Sequence, residues 1–301
     1  MFTHLILWLW LTGLVFLAAG LFAIGKEVVA ASGPGKWITR WTELGPVFVA
    51  APLATFGAEH FVNAIFMQPM VPSWLPAHLF WVYFVGCAWI AGAIGLLTPK
   101  FVRLSATLLG VMFLLLVLTM DLPFAITHPG DWLAWTMVLR QTAFAGGLWA
   151  LAGSLNRPSL AGKQNAEKQN WMVLFGHLTV ASAVIYFGLA QLLHPALAPG
   201  VPDTKLTPAS IPLHAFWGYP VGAFLLFAGA ALLINLKPRT AAVSIGILMT
   251  LLSALLYLPI LAVTHDPSQM TEAINFVADT LMFGGTALLV AKSLPGIRNQ
   301  G

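Results

Sequence analysis

The chain has 301 residues, 59% of them hydrophobic and only 8% charged. A soluble domain carries about a quarter charged residues, so this balance excludes a soluble globular protein and points to lipid. The net charge of +4 is too small and too scattered for a nucleic-acid footprint.

Nine apolar runs follow one another along the chain: residues 5–24, 46–66, 79–97, 101–122, 134–153, 171–193, 214–236, 240–264 and 273–293. Most approach the length that crosses ~30 Å of hydrocarbon as a helix. Between them stand "TPK", "THPGD", "NRPSLAGKQNAEKQN", "HPALAPGVPD", "LKPR" and "THDPSQ", rich in Pro, Gly and polar residues that end helices. Membrane strands would need short alternating segments instead, so the runs are helices. The expectation is an all-α integral membrane protein with nine transmembrane helices.

Alternate loops of this scheme divide the basic residues very unequally. One side receives Lys26, Lys36, Arg40, Lys100, Arg103, Arg157, Lys163, Lys168, Lys237, Arg239, Lys292 and Arg298, the other only Lys205, with Arg140 inside a run. Cationic loops stay cytoplasmic, which sets the N-terminus outside and the C-terminus inside the cell's inner (cytoplasmic) membrane. The first run lacks a basic n-region and is followed by Lys26, Lys36 and Arg40, so it is expected as a retained helix, not a cleaved signal. Cys87 is the only cysteine, and no redox pair is possible within the chain.

The second half restates the first. "LPAHLFWVYFVG" (75–86) returns as "IPLHAFWGYPVG" (211–222), "FGAEHFVNA" (56–64) as "FGLAQLLHP" (187–195), and "DLPFAITH" (121–128) as "YLPILAVTH" (257–265). The expected plan is an N-terminal helix and linker (1–45), a four-helix unit (46–155), a cytoplasmic linker (156–170), a second four-helix unit (171–295) and a tail (296–301). Each unit has an even number of spans. The two are therefore parallel repeats, related by a pseudo-twofold axis along the membrane normal.

Ionisable groups gather toward the outer ends of the runs. Seven of the eight histidines (His4, His60, His78, His128, His194, His214 and His265) lie there, and His177 alone lies in the inner half, where a hydrogen bond within the bundle is its expected role. A charge at mid-bilayer costs ~2.5–3.5 kcal/mol on insertion scales, so Glu59 and Arg140 must pair or face a cavity. Their matching depth predicts a Glu59–Arg140 ion pair. The candidate pocket of the first unit, open to the outside, comprises Glu59, His60, Asn63, His78, Trp81, Tyr83, Asp121, Arg140 and Gln141. Its counterparts in the second are Gln191, His194, His214, Tyr219 and Asp279, with Ala190 and Ala278 where the first has Glu59 and Arg140. The aromatic residues also suit an interfacial belt that anchors helix ends. No His-x-x-x-His or similar ligand pair occurs, so a metal ion is the weaker cofactor expectation.

At "FGAEHFVNAIFMQPMVPSWLP", "VGCAWIAGAIGLLTPKFVRLSA" and "LRQTAFAGGLWAL" the first unit resembles the DoxX/DoxD-like membrane family. His60–Phe61, Met70 to Pro76, Gly95 to Arg103 and Arg140–Gln141 carry the likeness. It reaches the second unit only through the internal repeat. One departure stands out: the family commonly has a Glu where this chain has Trp89. The resemblance implies a four-helix membrane unit and, as in some members, the membrane subunit of a thiosulfate:quinone oxidoreductase.

Three functions compete on these residues. A redox-linked membrane subunit would bind a quinone or a small reduced substrate in the pocket, beside other membrane or periplasmic redox subunits. A transporter or channel for a small solute or ion would use the buried acids of both halves, Glu59 and Asp279. A non-catalytic scaffold or assembly factor would use the polar groups only as staples. The lipid bilayer is the partner common to all three.

Overall fold

A computed structural model describes residues 2–30, 36–155, 171–205, 207–208, 213–214, 216–264 and 266–294. The expected linker 156–170 and tail 296–301, and with them Arg157, Lys163, Lys168 and Arg298, lie outside the described residues, as does His265. The fold is all helical, and no strand occurs among the described residues. In chain order the helices are α1 (Phe2–Ala30), α2 (Trp37–Val62), the short α3 (Ala64–Met67), α4 (His78–Leu96), α5 (Val102–Leu116), α6 (Leu122–Thr127), α7 (Trp132–Ser154), α8 (Trp171–Leu193), α9 (Gly218–Leu233), α10 (Pro238–Leu252), α11 (Leu258–Ala262) and α12 (Pro267–Ser293).

Six stretches are long and apolar enough to cross a membrane: Trp8–Lys26, His78–Leu96, Val102–Thr127, Trp171–Leu193, Pro238–Ala262 and Gln269–Ser293. The chain is a multi-pass membrane protein. α9 is a shorter apolar helix, because His214, Phe216 and Trp217 of the expected run 214–236 stand in turns instead. α2 and α7 are long enough but carry more polar residues, among them Arg40, Glu43, Glu59 and Arg140. They can do so because other helices, not lipid, cover them. Val47, Val49, Ala50, Leu53 and Ala54 of α2, and Ala143, Ala145, Leu148 and Ala150 of α7, are fully buried.

Packing follows from small residues. α12 lies against both α2 and α7, α1 covers α2, and α7 packs on α8. A Cβ added to Gly176 of α8 would stand 2.2 Å from the Gly146 carbonyl oxygen of α7, so the backbones there are in contact and only glycine fits. One large core joins both halves through Leu53, Phe144, Leu148, Phe187, Met249 and Phe283. Pro46 and Pro52 fall inside α2, which begins at Trp37, ahead of the expected run 46–66. Each removes one backbone donor, a loss that tertiary packing outweighs in a buried helix.

Two interruptions share one form. The runs expected as 101–122 and 240–264 each continue past a five-residue π-helical turn, Val117–Asp121 and Ser253–Tyr257, into a short helix that opens with Leu-Pro. Proline at the second helical position lacks the donor that would close a regular turn, and the wider turn takes up that loss. Asp131 caps α7, accepting from the backbone N–H of Leu133 at 2.9 Å and of Ala134 at 3.4 Å. At the opposite end of the bundle Lys292 of α12 donates to Glu43 of α2. His177, buried on α8, hydrogen-bonds the Leu232 carbonyl of α9, in keeping with its expected role.

Candidate functional site

The buried polar groups meet around α12. Asp279 accepts from Arg140 Nη1 at 2.9 Å, an ion pair between α12 and α7. One turn earlier on the same face, Asn275 Nδ2 donates to Glu59 Oε1 of α2 at 3.2 Å. Glu59 is 6% exposed and Arg140 9% exposed, so both belong to the interior. Arg140 Nη2 also points at Met137 Sδ, 2.7 Å away. The expected Glu59–Arg140 pair is not formed. α12 stands between α2 and α7 and supplies each with its own partner, the amide to the acid and the carboxylate to the cation.

Asp121, the last residue of the first π-helical turn, lies within electrostatic reach of Arg140, and its Oδ2 is buried without a hydrogen-bond partner. Arg140 Nε and Trp89 Nε1 are likewise buried and unpartnered. Trp89 belongs to α4 and is half-buried. Its ring meets His60 edge-on at 4.7 Å, Phe56 at 5.9 Å and Phe113 at 6.0 Å, and Phe113 in turn meets Phe144 at 5.5 Å. His60 Nδ1 hydrogen-bonds the Phe56 carbonyl at 2.8 Å. Asn63 ends α2 beside the Glu59 carboxylate, its own N–H bonded to the Glu59 carbonyl at 2.7 Å.

The remaining expected residues make local contacts. His78 opens α4 and is half-buried. Trp81 Nε1 donates to the Pro76 carbonyl at 3.0 Å, and exposed Tyr83 stacks on Phe61. Gln141 is half-buried next to Arg140. In the second unit His214 and Tyr219 are exposed, and His194 stacks on Trp132 of α7 at 4.9 Å. Gln191 is buried and donates through Nε2 to the Leu197 carbonyl at 3.1 Å.

Two features escaped the sequence expectations. Asn275 was not singled out, although its spacing of four from Asp279 puts both on one helix face. The α8–α9 connection was expected as an ordinary loop, yet Ala198, Pro199, Gly200, Val201 and Pro202 are buried. Its Gly and prolines, which signalled only a loop, make this dip into the bundle possible.

A cleft of about 80 Å³ between α1, α2 and α12 is lined by Trp10, Leu14, Pro52, Thr55, Ile274 and Ala278, among others, and is almost wholly apolar. It is separate from the unpartnered polar atoms. Among the described residues no group of three His, Cys, Asp or Glu is arranged to hold a metal ion.

A family model described as a domain of unknown function (DUF8561) matches residues 49–141, from the middle of α2 to Arg140 and Gln141. Every candidate residue of the first unit lies within that match. No curated protein and no solved structure matches the chain.

Proposed function

We propose that the chain is a nine-span membrane protein of the DoxX/DoxD-like type, made of α1 and two parallel four-helix repeats. The repeats are residues 46–155 and 171–295, related by a pseudo-twofold axis along the membrane normal, with the N-terminus outside. Matched packing supports this reading. α2 meets α12 as α8 meets α7, α2 meets α4 as α8 meets α9, and α5 meets α7 as α10 meets α12. The two π-helical turns fall at the same point of each repeat.

Within that frame the first repeat binds a small lipid-soluble molecule of the quinone–hydroquinone type, as the membrane subunit of an oxidoreductase. Other membrane or periplasmic subunits would supply the electrons. The observation that carries this reading is the set of three buried, unpartnered atoms Trp89 Nε1, Asp121 Oδ2 and Arg140 Nε. They come from three helical segments of one repeat. Such groups cost ~1–3 kcal/mol each while unsatisfied; quinone carbonyls can accept from the two N–H donors, and hydroquinone hydroxyls, which donate and accept, can serve donors and acceptor alike. The rings of Trp89, Phe113 and Phe56 suit an aromatic guest, and His60 and Asp121 can exchange its protons.

Native mass spectrometry of protein extracted in nanodiscs tests this. A bound mass of a quinone or hydroquinone, lost in Trp89→Phe and Arg140→Ala, is the expected result. Trp89→Phe removes the N–H and keeps an aromatic ring, though a smaller one, so a folding failure of the second variant leaves the test intact. A bare chain in every preparation would sink the reading and leave the Arg140–Asp279 pair as a staple between repeats.

A further inference from the structure

The two repeats can be compared residue by residue at one place, because backbone contacts fix the correspondence. A Cβ built on Gly57 would lie 3.0 Å from the Gly86 carbonyl oxygen, and one on Gly188 would lie 2.8 Å from the Gly222 carbonyl oxygen. At the same crossings Gly86 abuts the His60 Cβ and Gly222 abuts the Gln191 Cβ. His60 on α2 and Gln191 on α8 thus hold equivalent stations. Asp121 and Tyr257 are equivalent too, each closing a π-helical turn before Leu-Pro.

In the second repeat this pair of stations grips a peptide. Gln191 Nε2 donates to the Leu197 carbonyl at 3.1 Å, and the Tyr257 hydroxyl donates to the Pro199 carbonyl at 3.0 Å. The α8–α9 connection enters as a narrow hairpin, with Ala198 N–H bonded to the Lys205 carbonyl at 2.7 Å and Thr207 N–H to the Ala196 carbonyl at 3.0 Å. Its tip turns at Gly200, whose φ of 126° favours glycine, and a Cβ there would lie 3.2 Å from Leu252 Cδ1 and 3.8 Å from Met249 Sδ. Val201 joins the common core, and Lys205 Nζ rests over the Phe276 ring at 4.6 Å.

The first repeat has no such plug. Its corresponding connection stays at the surface, with Trp74 67% and Met70 53% exposed. The polarity of the two stations is also reversed. The Phe56 carbonyl can only accept, so His60 Nδ1 carries the hydrogen and the neutral ring offers Nε2 as an acceptor. Asp121, ionised, is acceptor only. Two donors hold two carbonyls in the second repeat, and two acceptors stand at the same stations in the first. Around them Trp89 and Phe113 replace Leu225 and Met249, giving aromatic walls in place of aliphatic ones.

We infer that the first repeat binds, at the station its sister fills with its own loop, a hydroxylated aromatic whose O–H groups donate to His60 and Asp121. This rests on the ligand-site reading above and narrows it to the reduced, donor-bearing form.

The probes are methylhydroquinone, its dimethyl ether and methyl-benzoquinone, titrated calorimetrically into the full-length protein in nanodiscs. The hydroquinone is expected to bind at least tenfold more tightly than the ether, which keeps the ring but has no donor. The double variant His60→Gln with Asp121→Tyr, which writes the donors of the second repeat into the first, is expected to reverse the preference toward the quinone. Should that variant not fold, Asp121→Asn alone is expected to weaken hydroquinone binding about tenfold. Equal binding of hydroquinone and ether, a tighter grip on the quinone by the unaltered protein, or a preference unmoved by the substitutions would each overturn this inference alone. Binding of none of the three would overturn the ligand-site reading with it.

Discussion

Arg140 and Asp279 stand 139 residues apart in the chain and 2.9 Å apart in the fold. Each belongs to a different half, α7 and α12. Removing one member strands the other as an uncompensated charge in a nonpolar interior, which costs ~3–5 kcal/mol. Arg140→Met and Asp279→Leu are each expected to unfold at markedly lower temperature, and the double variant to recover most of the loss. Thermal unfolding in detergent, followed by tryptophan fluorescence, completes the cycle. Additive losses would mean that the two groups do not depend on each other.

The Glu59–Asn275 bond is expected to behave more mildly. Asn275→Ala leaves a buried carboxylate one donor short and should cost ~1–3 kcal/mol. Glu59→Gln keeps an acceptor oxygen for Asn275 and should stay within about 1 kcal/mol of the parent. Denaturant titration of the two variants checks the order. A Glu59→Gln variant weaker than Asn275→Ala would show that the charge itself is needed.

Two glycines should respond to alanine with opposite sign. A Cβ on Gly188 would stand 2.6 Å from Leu226 N and 2.8 Å from the Gly222 carbonyl oxygen, backbone that cannot swing aside. Gly188→Ala is therefore expected to lose ~1–3 kcal/mol through overpacking. Gly25, in α1, has nothing within 4 Å of its added Cβ. Gly25→Ala should gain up to about 1 kcal/mol from helix propensity. Melting temperatures of both, measured in one detergent, decide it.

The nine-span arrangement predicts which loops share a face. In a Cys87→Ala background, a cysteine at Thr204 should react with an impermeant thiol reagent from outside, and one at Lys100 only after the membrane is opened. Three spans separate these exposed positions if α7 crosses the bilayer. Labelling of both from the same side would mean that α7 does not cross.

The helices were legible in the sequence because lipid tolerates little but apolar helix: the apolar runs and the helices coincide within a few residues for α4, α7 and α8. The site was legible as a set of residues but not as a set of bonds. Depth alone matched Glu59 with Arg140, and depth says nothing about which helices are neighbours. With α12 packed on both α2 and α7, the nearer partners of the two charges are Asn275 and Asp279. The buried hairpin was hidden for another reason. Its Pro and Gly announce a turn equally well at the surface or inside, and only the partners at Gln191 and Tyr257 decide between them.

The lateness of α12 has a consequence for biogenesis. A chain made at ~5–20 residues per second delivers Asp279 roughly 7–28 s after Arg140. For that interval the guanidinium is without the counter-ion that the finished fold gives it. Asp121, synthesised before it and within electrostatic reach, is the one acid of the first unit described beside it.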